Sequence, residues 1–182
     1  TKNQFRDLRK INGLVTKILK DIPRNSAFLY FGDGANKKNP DVGYLFQLIK
    51  EKRSDIKIFM IQIAEAKSWG VAKFVNKVYW HTSYTKECKW GGIHRGKPCS
   101  NTAKWVSINN KLAKSGSGIK KVFIFGGGPI TLDEFSLIKK YKIAYKYFPV
   151  ERKYNGDKKT KITNGDSMKT RIGVTYGKIP IV

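Results

Sequence analysis

The sequence predicts an α/β protein: a parallel sheet covered on both faces by helices, giving three layers, with a basic C-terminal extension. Three observations carry this. Short apolar runs alternate with segments of helical periodicity over residues 1–150. Glycine clusters follow two of the runs at once, at Gly32-Asp33-Gly34 and at Gly126-Gly127-Gly128, and in parallel sheets ligands bind at the carboxyl ends of strands. From Glu151 the chain turns charged, with Asn155-Gly156 and Asn164-Gly165 turn signals. The expected division is therefore a domain over 1–150 and an extension over 151–182 that packs poorly and orders only against a partner.

Each element has a local reason. Phe5, Leu8, Ile11, Leu14, Val15, Ile18 and Leu19 recur at helical gaps of three and four, and Pro23 ends that helix. Ser26 to Phe31 is an aromatic-rich strand running into the first glycine cluster. Asn39-Pro40-Asp41 starts a helix over Val42 to Lys52, with proline in the first turn and an acid at the positive end. Ile56 to Ile63 is the clearest strand. Ala66 to Val75 reads as a helix, Lys77 to Tyr84 as a strand and Thr85 to Cys99 as a loop. Ser100 or Asn101 caps a helix to about Lys114. A third strand, Lys121 to Phe125, leads into Gly126-Gly127-Gly128-Pro129. Thr131, Asp133 and Glu134 open a helix through about Tyr141, and Ala144 to Val150 is the last strand.

Composition bounds the function. The 182 residues hold 37 Lys+Arg against 13 Asp+Glu, a net charge of +24, with 40% hydrophobic and 13% aromatic residues. That is too aromatic for a disordered basic protein. The most apolar run, Ile58 to Ala64, falls far short of the roughly 20 residues of a membrane span, so no membrane is expected as a partner. The polar opening reads as no signal segment. Two cysteines make no disulfide scaffold, which points to a reducing, intracellular setting, cytoplasmic or within a nucleoprotein particle. The positive field favours polyanions, although lysine also serves simply as a solubilising residue.

The richest constellation is residues 121–135. Glycines after a strand let a ligand approach the backbone, the amides opening the next helix point at an anion, and Thr131 adds a hydroxyl donor. Glu134 suits a general base or a grip on ribose hydroxyls. A purely structural alternative makes Asp133 and Glu134 complements to the helix dipole.

Gly127-Gly128-Pro129-Ile130-Thr131-Leu132-Asp133-Glu134 resembles the GGxGTxxE signature of the lonely-guy (LOG) family. More broadly, Ser26 to Val150 is similar to the LOG/Smf/DprA group of Rossmann-like nucleotide-binding domains. The resemblance implies a Rossmann-like sheet, a nucleotide-type ligand and, for the lonely-guy members, cleavage of a base from a nucleoside monophosphate. It places phosphate over Gly126, Gly127 and Gly128 with Thr131 donating, and Gly32, Asp33 and Gly34 closing the other side. Glu134 then activates water, with Lys104 or Lys111 steadying the phosphate. Three positions differ from the pattern. Gly126 replaces a proline, Ile130 replaces a glycine, and the helix before the motif strand has Lys104 and Lys111 but no arginine, which weakens bidentate phosphate binding.

His81, Cys88, His94 and Cys99 are all the histidines and cysteines of the chain. Two sulfurs and two imidazoles suit tetrahedral zinc, but the usual close pairs are missing. Neither a metal nor a Cys88–Cys99 disulfide is expected, and no cofactor. Residues 78–97 interleave aromatics with basic residues, and Trp90 and Arg95 suit stacking on bases. Lys153, Lys158 and Lys159 make the extension a candidate docking arm. Two functional expectations follow. One is nucleotide binding, extending to N-glycosidic hydrolysis. The alternative is an inactive basic structural subunit of a virion or ribonucleoprotein, contacting nucleic acid or neighbouring subunits, with oligomerisation compatible with either.

Overall fold

The computed structural model describes residues 3–5, 7–31, 42–82, 92–126, 129–148, 150, 152–154 and 161–162; at 3, 4, 69, 129, 130, 152–154 and 161–162 it describes the backbone alone. In chain order the elements are β1 (Asn3–Phe5), α1 (Leu8–Lys20), β2 (Ala27–Phe31), α2 (Val42–Lys52), β3 (Lys57–Ile63), a 3₁₀ segment (Ala64–Trp69), β4 (Lys77–His81), β5 (Ile93–His94), β6 (Lys97–Pro98), α3 (Ser100–Lys114), β7 (Lys121–Phe125), α4 (Pro129–Lys140), β8 (Ala144–Phe148), β9 (Arg152–Tyr154) and β10 (Lys161–Ile162). They form two compact units. One holds the described residues of Thr1–His81 and Arg152–Lys161; the other holds those of Thr82–Glu151 and Ile162–Val182. A single domain over 1–150 was the expectation.

The first unit is built on a parallel sheet in the order β2-β3-β4, with Leu29 opposite Phe59 and Ile61 opposite Tyr79. β3 is the central strand, and Ile58, Met60, Ile61, Gln62 and Ile63 are all buried. Such a run, apolar at nearly every position rather than alternating, is what a strand covered on both faces requires. Phe46 of α2 stacks on Tyr30 of β2 at 4.2 Å between ring centres, and so clamps helix to sheet.

α1 buries Ile11, Val15, Ile18 and Leu19, the spacing that periodicity predicts. It begins at Leu8 rather than Phe5 because the Asp7 carboxylate accepts from the Lys10 amide at 2.9 Å, an N-cap that precedes the first turn. Phe5 sits instead, 4% exposed, in β1. β1 pairs antiparallel with β9, Phe5 opposite Arg152 and Asn3 opposite Tyr154, in a sheet of order β1-β9-β10. The start of the extension therefore orders against this chain's own N-terminal segment, where an external partner was expected. The expected helix over 66–75 is also shorter: a 3₁₀ turn that ends at Trp69, with Gly70 following.

The second unit pairs β7 with β8 in parallel, Phe123 opposite Lys146. Among the described residues these two strands form their own sheet and do not join β2-β3-β4. The parallel pairing is as expected, but in two sheets. Phe125 stacks on Phe148 at 4.9 Å, and Phe135 of α4 meets Tyr145 edge-on at 4.9 Å. The expected loop before α3 contains a hairpin, β5 antiparallel to β6, His94 opposite Lys97. Its tip residues Arg95 and Gly96 have φ of 47° and 76°, the two successive left-handed positions of a type I′ turn. The N-cap of α3 is Cys99, one residue before Ser100, the first of the two expected caps.

Candidate functional site

The site grows from the turn after β7. Gly126 is buried with φ 58°, and its amide donates to the Phe148 carbonyl at 2.8 Å. That bond extends the β7–β8 ladder by one residue while the left-handed backbone leaves the strand direction. α4 opens at Pro129, a residue that lacks the amide hydrogen the first turn cannot use. Thr131 is half-buried in this opening turn, Asp133 is 4% exposed, and Glu134 is half-buried.

A residue that the pattern did not single out organises these groups. Thr102, fully buried in the first turn of α3, donates its hydroxyl to Glu134 Oε1 at 3.1 Å and accepts the Gly92 amide at 2.8 Å. One hydroxyl thus uses its single proton on a carboxyl and a lone pair on the backbone. Next along α4, Asp133 Oδ2 accepts the Ile93 amide at 3.0 Å. The Cys99 amide donates to the Gly92 carbonyl at 2.8 Å and closes the base of the hairpin. The two adjacent carboxyl groups therefore hold the entry to β5 against the starts of α3 and α4.

Burial pushes the Glu134 carboxyl up to about 8; the neighbouring Asp133 charge raises it further, and the Thr102 hydrogen bond opposes them. Near neutral pH the group carries its proton and exchanges it over the physiological range, which is the property a general acid or base needs. Paired carboxyls with one driven up are a recurring arrangement at reactive sites.

The other expected site residues fall as follows. Lys111 is exposed near the end of α3, about 13 Å along the helix from Thr102 at 1.5 Å per residue. Lys104, two residues from Thr102, leaves the helix about 200° around its axis. Arg95 is exposed at the hairpin tip. Lys153 pairs through its backbone with Gln4 in the β1–β9 ladder. Gly32, Asp33, Gly34, Trp90, Gly127, Gly128, Lys158 and Lys159 lie outside the described residues. A groove of about 370 Å³, lined by Asn109, Ile119, Lys120, Tyr141 and Lys142 among others, lies at the amino ends of β7 and β8. That is the end of the strands away from Gly126.

Cys99 corrects one expectation. It is 1% exposed and disulfide-bonded; the other cysteine of the sequence, Cys88, lies outside the described residues. A thiol committed to a disulfide does not ligate zinc. A disulfide also persists chiefly in oxidising surroundings, so the inference of a reducing compartment from cysteine number loses its premise. Among the described residues no cluster of three or more His, Cys, Asp or Glu is placed to hold a metal, and no helix is long and apolar enough to cross a membrane.

No protein-family model, no characterised protein and no solved structure matches this chain. The site defines a class by geometry alone: a parallel strand pair whose first strand turns through a buried glycine into a helix carrying a carboxyl that is protonated near neutrality.

Proposed function

We propose that the chain binds a nucleotide or nucleotide derivative at the carboxyl end of β7, and that Glu134 moves a proton in N-glycosidic hydrolysis of that ligand. The single observation that carries the reading is the Glu134 carboxyl, desolvated by burial, held by Thr102 in the second turn of α4 and titrating near 8. The turn at Gly126 and the Thr131 hydroxyl receive the ligand's phosphate. Ionised Glu134 takes a proton from a water molecule; the water oxygen bonds to the anomeric carbon as the carbon–nitrogen bond breaks. The bond's electrons leave with the base, which takes up a proton from solvent, and Glu134 then releases to solvent the proton it gained from the water. The likeness to the lonely-guy signature at 127–134 supports the same assignment.

A second reading has its own support. Asp133 and Glu134 both accept hydrogen bonds from within the unit, and Ile130 with the missing arginine departs from a phosphate site. These favour a basic structural subunit that has kept the architecture without the reaction.

A thermal-shift titration with AMP and with ADP-ribose, followed by chromatography for released base, separates the two. Stabilisation by ligand follows mass action. A shift present in the natural chain and lost in Glu134→Ala, with base released, supports the first reading; no shift with either ligand overturns it.

A further inference from the structure

The outer face of α1 carries a residue that nothing among the described residues requires. Ile11, Val15, Ile18 and Leu19 point inward. Opposite them Arg9, Lys17 and Lys20 are exposed, and at about 100° per residue they flank Gly13, which lies at the centre of that face. Lys20 stands about 20° to one side of Gly13 and Lys17 about 40° to the other. Asp7 caps the helix at its N-terminal end and Asp21 at its C-terminal end, and all the charged residues between them, Arg9, Lys10, Lys17 and Lys20, are basic.

Glycine is among the worst residues for a helix interior. Here a Cβ would meet nothing within 4 Å, and the backbone has no left-handed φ. Neither packing among the described residues nor conformation accounts for Gly13. What the glycine provides is bare helix backbone in the middle of a positive surface, which suits close approach by a negatively charged chain.

We propose that this face docks on the phosphodiester backbone of double-stranded nucleic acid, with Arg9, Lys17 and Lys20 pairing with phosphates around Gly13. The α1 sequence LRKINGLVTKILK contains no aromatic residue, so the face offers no platform for the stacked bases that single-strand binders use. Arg9 and Lys20 lie about 16 Å apart along the helix axis, a span over which a duplex presents a dense row of charge, one per about 1.7 Å of its axis. Binding of this kind is independent of base sequence. It does not rest on the reading of Glu134.

The test is fluorescence anisotropy of a labelled duplex of about 20 bp with the full chain, between about 50 and 200 mM salt. Lys17→Ala/Lys20→Ala should weaken binding and flatten the slope of log affinity against log salt by about 2, roughly 0.9 for each phosphate left without its lysine. Lys114→Ala/Lys140→Ala removes the same charge from α3 and α4 and should leave that slope unchanged. Gly13→Ala should raise the melting temperature by about 2–4 °C and yet weaken duplex binding severalfold. Equal loss in both lysine pairs, or a Gly13→Ala chain that binds the duplex as well as before, overturns the proposal. So does tighter binding to phosphatidylserine vesicles or to polyglutamate than to the duplex.

Discussion

Thr102 stands between the backbone of Gly92 and the carboxyl of Glu134, accepting at 2.8 Å from the first and donating at 3.1 Å to the second. Removing it should cost on both sides. Thr102→Val keeps the shape but deletes the hydroxyl, leaving the Gly92 amide without its partner; an unsatisfied buried donor costs about 1–3 kcal/mol. Because the Thr102 bond favours the ionised form of Glu134, its loss should also move that carboxyl further upward. Denaturant unfolding checks the first effect and a carboxyl titration by NMR checks the second.

Glu134 should make stability fall as pH rises. In the unfolded chain its carboxyl titrates near 4.5, in the folded chain near 8. Between those values the folded state keeps a proton that the unfolded state has released, so stability drops by about 1.4 kcal/mol per pH unit from this group alone. The contribution is complete below about 4.5 and gone above about 8. Glu134→Gln preserves the acceptor for Thr102 and should flatten this dependence, making the variant the more stable chain at pH 9. If base-release activity is present, its rate should rise with pH and level off above about 8; a profile falling over that range would assign Glu134 the acid role instead.

Arg53 closes the C-terminal end of α1. Its guanidinium holds Asp55 bidentately at 2.7 and 2.8 Å and donates to the carbonyls of Leu19, Ile22 and Pro23 at 3.2–3.3 Å. Arg53→Lys retains the charge but not the planar fork. Amides around Leu19 to Asn25 should exchange faster in this variant, measured by hydrogen exchange. The same guanidinium, with the Asn25 amide, holds the Asp55 carboxyl well below its ordinary range. The stability that this pair adds is present above pH about 4 and is lost as pH falls; Arg53→Ala should remove that part of the acid sensitivity.

Two helices end in the same way with different residues. At the end of α3 the Gly116 amide donates to Ala113 and the Ser117 amide to Leu112; at the end of α4 the Lys142 amide donates to Lys139 and the Ile143 amide to Ile138. Both are Schellman motifs, with Gly116 at φ 72° and Lys142 at φ 53° in the left-handed position. Lysine pays a steric cost there that glycine does not. Lys142→Gly should therefore stabilise by about 1 kcal/mol, and Gly116→Ala should destabilise by a similar amount, both measured by denaturant midpoint.

Much of the local structure was legible in the chain. α2 over Val42–Lys52 and β7 over Lys121–Phe125 follow residue for residue from apolar periodicity and flanking glycine, proline and acid, because those signals act within a few neighbours. The glycine turn at Gly126 and the position of Glu134 in the next helix were legible for the same reason. The partners were not. That Thr102 would find Glu134 across 32 residues, that Phe5 would pair opposite Arg152, and that β2-β3-β4 and β7-β8 would form separate sheets all depend on which surfaces meet once the elements pack. A hydroxyl, a three-residue strand and a parallel edge carry little signal of their own until a distant group is brought within hydrogen-bonding range. The sequence determined a basic α/β chain with a carboxyl placed after a glycine turn. Only the tertiary structure decided that this carboxyl is desolvated, bonded to Thr102 and protonated near neutrality, because desolvation is a property of everything packed around a group and not of the group itself.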